Sequence, residues 1–532
     1  MIQQNGYKIR EYFRWMLQNF YSKVVLPEHF LMMLIIFSLL FFLSEQLTIT
    51  ASAIILGLFV LFWFHSSGRF RPEKDKKPLI YTPRMQRLAF IQGLIIICFI
   101  YIIADLSFTG RLMNTPITLT GTVSSLLIAD PYFLVFGLIL VDLSIPFFLI
   151  LSSLLTMPVE WNIHRGFKKK ARKKLEGMSN LTIIGITGSY GKTSTKFMIS
   201  SLLRERFQVC VTPGSYNTPM GICKVINNDL EGHHQVLVLE MGARYEGNIR
   251  ELCKIARPDI AVITNTGKAH LETFGSPEAI VREKSSLVKE VKQPGILVLN
   301  ADDENVRSMA GLRPDAEVIT AGLDRGDIRA SGVTYNEQGT AFDMHWVEED
   351  GETRTLQIKM KLLGAHNVLN FLLAAALAIK LGLRPATIAH AATRIEPVEH
   401  RLELKKHNGL IVIDDAFNSN PVGAKNALEI LCSFTSGRRI IITPGMIELG
   451  ELQEEENQKF GRHIANAGLD LIILVGKEQT APILNGIQEV NPQADNVRIV
   501  HSLFDANQIV REFSRDGDVV LYENDLPDTY SE

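Results

Sequence analysis

The stretch Leu181-Thr-Ile-Ile-Gly-Ile-Thr-Gly-Ser-Tyr-Gly-Lys-Thr193 decides the fold. Its first half is an apolar run of strand length. Its second half is a glycine loop ending in Lys192 and Thr193, and a helical pattern follows through Leu203. In that order, the glycines let backbone N–H groups approach phosphate oxygens and the helix N-terminus adds favourable partial charge. On this reading Thr187, Gly188, Ser189, Tyr190 and Gly191 surround a phosphate chain. Lys192 reaches its outer phosphates and Thr193 holds Mg²⁺. The usual Gly-x-x-x-x-Gly-Lys spacing asks for glycine at 186, where the chain has Ile186. From the residues alone, a glycine-rich turn with a chance lysine stays open.

Downstream, the apolar run 236–239 ends in Glu240-Met-Gly242, and the run 260–263 ends in Thr264-Asn-Thr-Gly267 and then His270. Carboxylates and imidazoles at the C-terminal ends of parallel strands face the ligand crevice of a doubly wound sheet, and a carboxylate there suits Mg²⁺. A helix-capping Glu240 and a packed loop His270 are the bland alternatives. Residues 318–357 read as short strands with turns, an antiparallel insertion. The alanine-rich stretch 364–379 reads as a core helix, with no catalytic role for His366. Asp414 and Asp415 follow the apolar run 410–413, where a strand-end turn is the plain alternative.

With 532 residues, 46% of them hydrophobic, and a mean hydropathy of +0.12, the chain is too long for one core and too apolar to be disordered. Residues 1–178 hold 19 Lys and Arg against 10 Asp and Glu, whereas residues 179–532 hold 36 against 47. An acidic body argues against nucleic acid as the partner. The five cysteines form no Cys-x-x-Cys pair, so neither a disulfide framework nor a zinc cluster is readable.

The basic front contains four apolar stretches, 26–43, 47–64, 88–108 and 132–157, near the roughly 20 residues that cross a bilayer. Lys and Arg gather before the first, between the second and third, and after the fourth at 165–174. Only Arg111 occupies the opposite loops. That asymmetry predicts a multi-pass protein of the cell membrane, with the lipid bilayer as a partner and the catalytic domains cytoplasmic. The 165–174 cluster reads either as a lipid contact or as a topology signal alone. Asp142, inside the fourth stretch, reads either as functional or as a packing residue. A cleaved signal peptide is not expected.

Motifs in one order carry a resemblance. They are Gly185 to Thr193, Glu240-Met-Gly-Ala-Arg244, Ala256-Arg-Pro-Asp-Ile-Ala-Val-Ile-Thr-Asn265, His270-Leu-Glu-Thr-Phe-Gly-Ser276 and Lys284. Further on come Gly364-Ala-His-Asn-Val-Leu-Asn370, His400-Arg401, Asp414-Asp-Ala-Phe-Asn-Ser-Asn-Pro421 and Pro444-Gly-Met-Ile-Glu-Leu-Gly450. Over roughly 180–450 the chain resembles the Mur ligase family, the ATP-dependent acid–amino acid ligases of cell-wall peptide assembly. It is most similar to the branch that adds D-alanyl-D-alanine to a UDP-linked muramoyl tripeptide. That family shares the one-residue departure in the glycine loop.

The resemblance implies an ADP-forming amide ligase using ATP and Mg²⁺. An acceptor carboxylate becomes an acyl phosphate, which an amine then attacks. It implies that Lys192 contacts the ATP phosphates, that Thr193 and Glu240 hold one Mg²⁺, and that His270 and a carbamylated Lys284 serve a second. It also implies that Asn367 reads adenine and that Arg401 and Asp415 reach the nucleotide when domains close. The expected architecture is α/β: a helical multi-span membrane domain at 1–178, a P-loop doubly wound domain at 179–397, and a smaller Rossmann-like domain at 398–532.

Three features depart from that branch. Apolar stretches stand where a soluble UDP-binding domain is usual, His400 stands where glycine is usual, and no Lys-Gly-Ser-like segment follows 519–523. The expected acceptor is therefore a muramoyl peptide, lipid-linked or another envelope precursor, joined to an amino acid or dipeptide. A poly-γ-glutamate-type capsule ligase is the alternative within the enzyme class. A transport ATPase and a degenerate scaffold are the alternatives outside it.

Overall fold

The computed structural model describes residues 9–19, 81–114 and 131–524. It also describes residues 35, 38, 57, 58 and 61, and omits 215, 268, 337, 349, 398, 399, 401, 417–419 and 448. Two compact units are Met1–Arg165 and Gly166–Glu532.

In the first unit, helix α1 (Ile9–Gln18) and helix α2 (Pro83–Asn114) contribute Tyr12 and Leu88 to a small core. Helix α3 (Pro131–Glu176) carries Pro146 and Pro158 within it. On α3, Glu160 is buried and accepts from the Arg87 guanidinium at 2.7 Å.

The expectation of a four-span, multi-pass membrane protein with cytoplasmic catalytic domains is corrected here. Among the described residues two helices are long and apolar enough to cross a membrane, at Pro83–Ile103 and Ile139–Glu176. The stretches 26–43 and 47–64 lie outside the described residues. The apolar window of the second helix is 44% buried within the structure. Length and hydropathy alone do not separate a span from a packed helix, so these two helices do not establish a multi-pass membrane protein. The basic cluster has protein partners as well. Lys168 pairs with Glu251 at 2.5 Å and Lys174 donates to the Asn227 carbonyl at 3.2 Å. Asp142 is buried.

The second unit is built on two sheets. The first has nine strands: β1 (Thr182–Thr187), β2 (Val209–Val211), β3 (Val236–Glu240), β4 (Ile260–Ile263), β5 (Ile296–Asn300), β6 (Glu317–Ala321), β7 (Ile328–Asn336), β8 (Gly339–Val347) and β9 (Thr353–Met360). Their spatial order is β2-β3-β1-β4-β5-β6-β7-β8-β9. The strands β1 to β6 pair in parallel, whereas β7, β8 and β9 form an antiparallel meander. The antiparallel segment thus extends the edge of the main sheet.

Because side chains alternate along a strand, the two faces of this sheet feed two cores. Ile184, Ile186, Val238 and Val262 enter one, and Ile183, Leu237, Leu239 and Ile263 enter the other. Burial on both faces explains the continuous apolar runs. Helix α4 (Lys192–Leu203) follows β1, and helix α5 (Pro277–Glu290) lies against the second core. Helix α6 (Ala365–Lys380) is almost wholly buried against α4. Its Phe371, Leu372 and Leu377 are fully enclosed, each contributing roughly 1.5–3 kcal/mol.

The second sheet holds β10 (Glu403–His407), β11 (Leu410–Asp415), β12 (Arg439–Thr443), β13 (Leu471–Val475), β14 (Val497–Val500) and β15 (Val519–Glu523). Its order is β10-β11-β15-β12-β13-β14, with β10 antiparallel and the rest parallel. The α/β architecture with mixed sheets agrees with the expectation for the region after residue 178.

Candidate functional site

The strand order puts β1 between β3 and β4, and the chain crosses from one side of β1 to the other between them. The crevice beyond the carboxyl ends of these strands is where an open α/β sheet takes a ligand. Register places Glu240 beside Ile186 and Ile263 beside Thr187. The glycine loop, Glu240 and Thr264 therefore meet at one level.

The segment after β4 fastens the loop. Thr264 Oγ1 donates to the Tyr190 carbonyl at 2.6 Å, and Asn265 Oδ1 accepts from the Tyr190 N–H at 2.9 Å. Ser189 Oγ donates to the Gly267 carbonyl at 2.6 Å. Thr187, buried at the end of β1, donates to the Met241 carbonyl at 2.8 Å. Gly188 and Gly191 have φ of +153° and +76°. A Cβ on Gly188 would strike Thr264 Oγ1, and one on Gly191 would lie 2.5 Å from Asn370 Oδ1. Glycine is required at both for conformation and for space. Gly191→Ala is expected to weaken ADP binding at least about tenfold by left-handed strain and displacement of Asn370. Titration of ADP by calorimetry checks this, and unchanged affinity would remove the loop from the site.

Lys192 Nζ donates to the loop carbonyls of Gly188 and Ser189 at 2.7 and 2.9 Å. Thr193 Oγ1 donates to Glu240 Oε2 at 3.0 Å, and both residues are buried. The structure thus brings together the two groups expected to share a metal. It adds two that the motifs did not single out. Lys196 Nζ lies 3.3 Å from the same Oε2, and Asn217 Nδ2 donates to Oε1 at 3.2 Å. Lys196 follows Lys192 by one helical turn, so a position on the same face was its only signal in the sequence.

Lys284, on α5, is also enclosed. Burial pushes its ammonium down to about 7, and the Lys192 charge pushes the same way while Glu283 opposes. Its Nζ lies 5.9 Å from the centre of the Phe274 ring. Glu283 is raised above the ordinary carboxylate range by burial, against N–H groups of Gly247 and Ile249 that donate at 2.7 Å each. His270 caps the short helix Leu271–Phe274 with φ +59°. Among the described residues no three His, Cys, Asp or Glu side chains converge in a metal-binding group.

Asn367 is buried in the first turn of α6, and its Nδ2 donates to the Leu363 carbonyl at 2.8 Å. Asn370, one turn on, accepts from Thr195 Oγ1 at 3.1 Å, while its buried Nδ2 has no hydrogen-bond partner. That orphaned donor lies beside Gly191 and was not singled out in the sequence.

In the second sheet, Asp415 Oδ1 accepts from the Leu402 N–H at 3.1 Å. Arg401 lies outside the described residues. Its neighbours His400 and Leu402 have φ of +60° and +48°. The position where the family uses glycine is left-handed, the conformation glycine suits best. His400 adopts it with its ring Nδ1 2.9 Å from Asp414 Oδ2. Burial works against the Asp414 carboxylate, but bonds from Lys405 and His400 outweigh it and hold it below the ordinary range. Beside them, buried Glu523 accepts from Thr443 Oγ1, and Asn524 Nδ2 donates to the Gly445 carbonyl at 2.5 Å.

The donor set fits a nucleotide with Mg²⁺. A glycine cradle that a Cβ would fill, an ammonium at its rim and a hydroxyl–carboxylate pair beneath it answer phosphate and a hard cation respectively.

Comparison with known proteins follows the same division. The Mur ligase middle domain model matches residues 186–378, and the Mur ligase glutamate ligase domain model matches 400–522. A Bacillus subtilis UDP-N-acetylmuramoyl-tripeptide–D-alanyl-D-alanine ligase is 30% identical over 344 residues, covering 64% of this chain and 72% of that protein. A Mycobacterium bovis protein of the same name is 36% identical over 304 residues, 56% of this chain. The match spans only 58% of that relative's length. The structure of MurF from Thermotoga maritima in complex with ADP superposes with a TM-score of 0.60 at 28% identity, covering 68% of this chain and 80% of that one. MurF from Acinetobacter baumannii gives 0.61 at 25% identity, covering 68% and 77%. The matches begin after the first unit, which differs from the UDP-binding domain expected in that place. With both family domains matched in order, and with a relative 30% identical covered over 72% of its length, the chain belongs to the Mur ligase family.

Proposed function

We propose that this chain is an ATP-dependent, ADP-forming amide ligase of peptidoglycan synthesis. The observation that carries the reading is the Thr193–Glu240 pair, 3.0 Å apart beneath the glycine loop and Lys192. An acceptor carboxylate oxygen attacks the γ-phosphorus of ATP and ADP leaves, which gives an acyl phosphate. An amine nitrogen then attacks the acyl carbon, phosphate leaves, and an amide has formed. The electrostatic problem is a triphosphate meeting a carboxylate, and preorganised cations and N–H donors answer it.

Mur ligases use ATP and Mg²⁺, and the metal, when bound, screens the phosphates and polarises the transferring group. Thr193 and Glu240 would hold it. The loop N–H groups and Lys192 would bind and orient the phosphates. Asn367 would read the adenine, and Asp415 with Arg401 would complete the nucleotide site from the 398–532 domain against the 179–397 domain. Domain closure there would exclude water.

Lys284 is suited to carbamylation. With its ammonium held near 7, a large share of the amine is neutral at physiological pH. Its lone pair can attack the carbon of CO₂ and lose a proton to solvent, leaving a carbamate. That anion, with His270, would serve the second metal. Adding bicarbonate to CO₂-depleted enzyme is expected to raise activity several-fold. The same addition to Lys284→Met should change nothing. A response equal in both proteins would detach Lys284 from the effect.

The acceptor we propose is a muramoyl peptide carboxylate, and the amine is D-alanyl-D-alanine. The names of the Bacillus and Mycobacterium relatives support this. The test is phosphate release from ATP and Mg²⁺ by the full chain against crossed acceptors and amines. Acceptors are UDP-linked muramoyl peptides, lipid-linked muramoyl peptides and glutamate oligomers. Amines are D-alanyl-D-alanine and single amino acids. Release that needs a muramoyl peptide and D-alanyl-D-alanine together is expected. Release indifferent to every pair would overturn the ligase reading, and dependence on glutamate oligomers would replace its substrate.

A further inference from the structure

Lys196 is one of the largest fully buried side chains in the protein. Its ammonium donates to the Gly214 carbonyl and sits 3.3 Å from Glu240 Oε2. The ring of Phe197 lies 4.6 Å away. A buried charge of this kind is costly unless paired, so the ammonium and the carboxylate depend on one another. The oxygen they share is the one that also accepts from Thr193 Oγ1. A divalent cation held by Thr193 and Glu240 would therefore meet a fixed positive charge already seated on its carboxylate. Glu240 is the carboxylate that Thr193 Oγ1 faces, at 3.0 Å.

We propose that Lys196 is an internal counter-cation for Glu240 that keeps the divalent metal site weak until nucleotide arrives. The inference rests on the assignment of Thr193 and Glu240 as the metal-holding pair. Metal alone brings two more positive charges next to the Lys196 ammonium, and like charges at this distance in a buried site repel. Metal with a nucleotide brings compensating phosphate charge, so both cations are accommodated together. The positioning role follows from the same contacts. Lys196 ties Glu240 Oε2 to the backbone at Gly214, while Asn217 from the same connection holds Oε1. Lys196 thus orders the metal to enter with the nucleotide and not before it.

Mn²⁺ binding to the full chain, followed by electron paramagnetic resonance without nucleotide and with ADP, tests this. In the wild type, Mn²⁺ alone should bind at least about tenfold more weakly than Mn²⁺ with ADP. In Lys196→Met, and in Lys196→Gln, which keeps a hydrogen-bonding head without charge, Mn²⁺ alone should bind at least about tenfold more tightly than to wild type. Lys196→Arg, which keeps the charge, should resemble wild type. A second readout is thermal. Mg²⁺ without nucleotide should raise the Tm of the Met and Gln variants by more than it raises that of wild type, because the metal replaces the lost counter-charge. A role in packing alone would lower Tm without changing the response to Mg²⁺.

Equal Mn²⁺ affinities in wild type and uncharged variants, with ADP-dependent binding intact, would overturn the inference and leave the metal assignment standing. Loss of Mn²⁺ binding in every protein, ADP included, would instead overturn the metal assignment. If the uncharged variants do not fold, the wild type still decides: micromolar Mn²⁺ binding without nucleotide would overturn the proposal.

Discussion

Lys192→Ala is expected to lower ATP-dependent phosphate release about a thousandfold or more, while leaving the fold in place. Removing one preorganised donor to developing charge costs 10²–10³ in other enzymes, and here the donor is also a full charge. A thousandfold corresponds to about 4 kcal/mol of lost transition-state stabilisation. The structure explains why the effect should fall on catalysis and spare stability. The ammonium donates to the loop carbonyls of Gly188 and Ser189. The loop itself is held from the other side by Thr264 and Asn265. Denaturation midpoints should therefore shift little. Steady-state phosphate release beside a thermal melt checks both halves. Activity within tenfold of wild type would show that the loop lysine is not a phosphate ligand.

The second large effect is expected at Lys284, and it has two opposite signs. Lys284→Met should lower activity by about a hundredfold or more, by removing the amine proposed above to be carbamylated. The same change should raise stability below neutral pH. The unfolded lysine titrates near its ordinary value of 10.5 and the folded one near 7. Between these values the unfolded chain carries a proton that the folded chain lacks, so wild-type stability rises with pH across that window. Below 7 both states are protonated, and the folded protein bears the whole cost of enclosing the charge. Methionine removes that cost, by an amount on the order of a few kcal/mol. The advantage of the variant should be greatest at pH 6.5 and should shrink steadily toward 10.5. Guanidinium unfolding in CO₂-free buffer at several pH values measures it. A constant difference across that range would mean that the lysine is charged in the folded protein, with a partner that compensates it.

The order of elements after residue 178 was legible because local rules act there without competition. The run from Leu181 to Thr193 sets strand, loop and helix in succession, and the positive φ at Gly188 and Gly191 is what such a loop demands. The meander of β7, β8 and β9 was legible as antiparallel strands, but its attachment to the main sheet edge was not, since sheet edges are chosen by tertiary packing. The basic front was misjudged for a related reason. Hydropathy counts apolar residues but cannot say what covers them. Lys168 and Lys174, read as topology or lipid signals, also have protein partners, at Glu251 and Asn227.

The sequence by itself determined which groups are candidates for the chemistry. Lys192, Thr193, Glu240, His270 and Asp415 stood out at the ends of apolar runs or the start of a helical pattern, and Lys284, Asn367 and Arg401 through the resemblance. Only the tertiary structure decided their electrostatic state. It seats the Lys196 ammonium on Glu240, leaves the Asn370 amide beside Gly191, drives Lys284 toward neutrality, and turns His400 into a left-handed position next to Asp414. Each of these depends on burial and on charges supplied by segments far apart in the chain. Desolvation and Coulomb interaction act through space, so they exist only once those segments have packed.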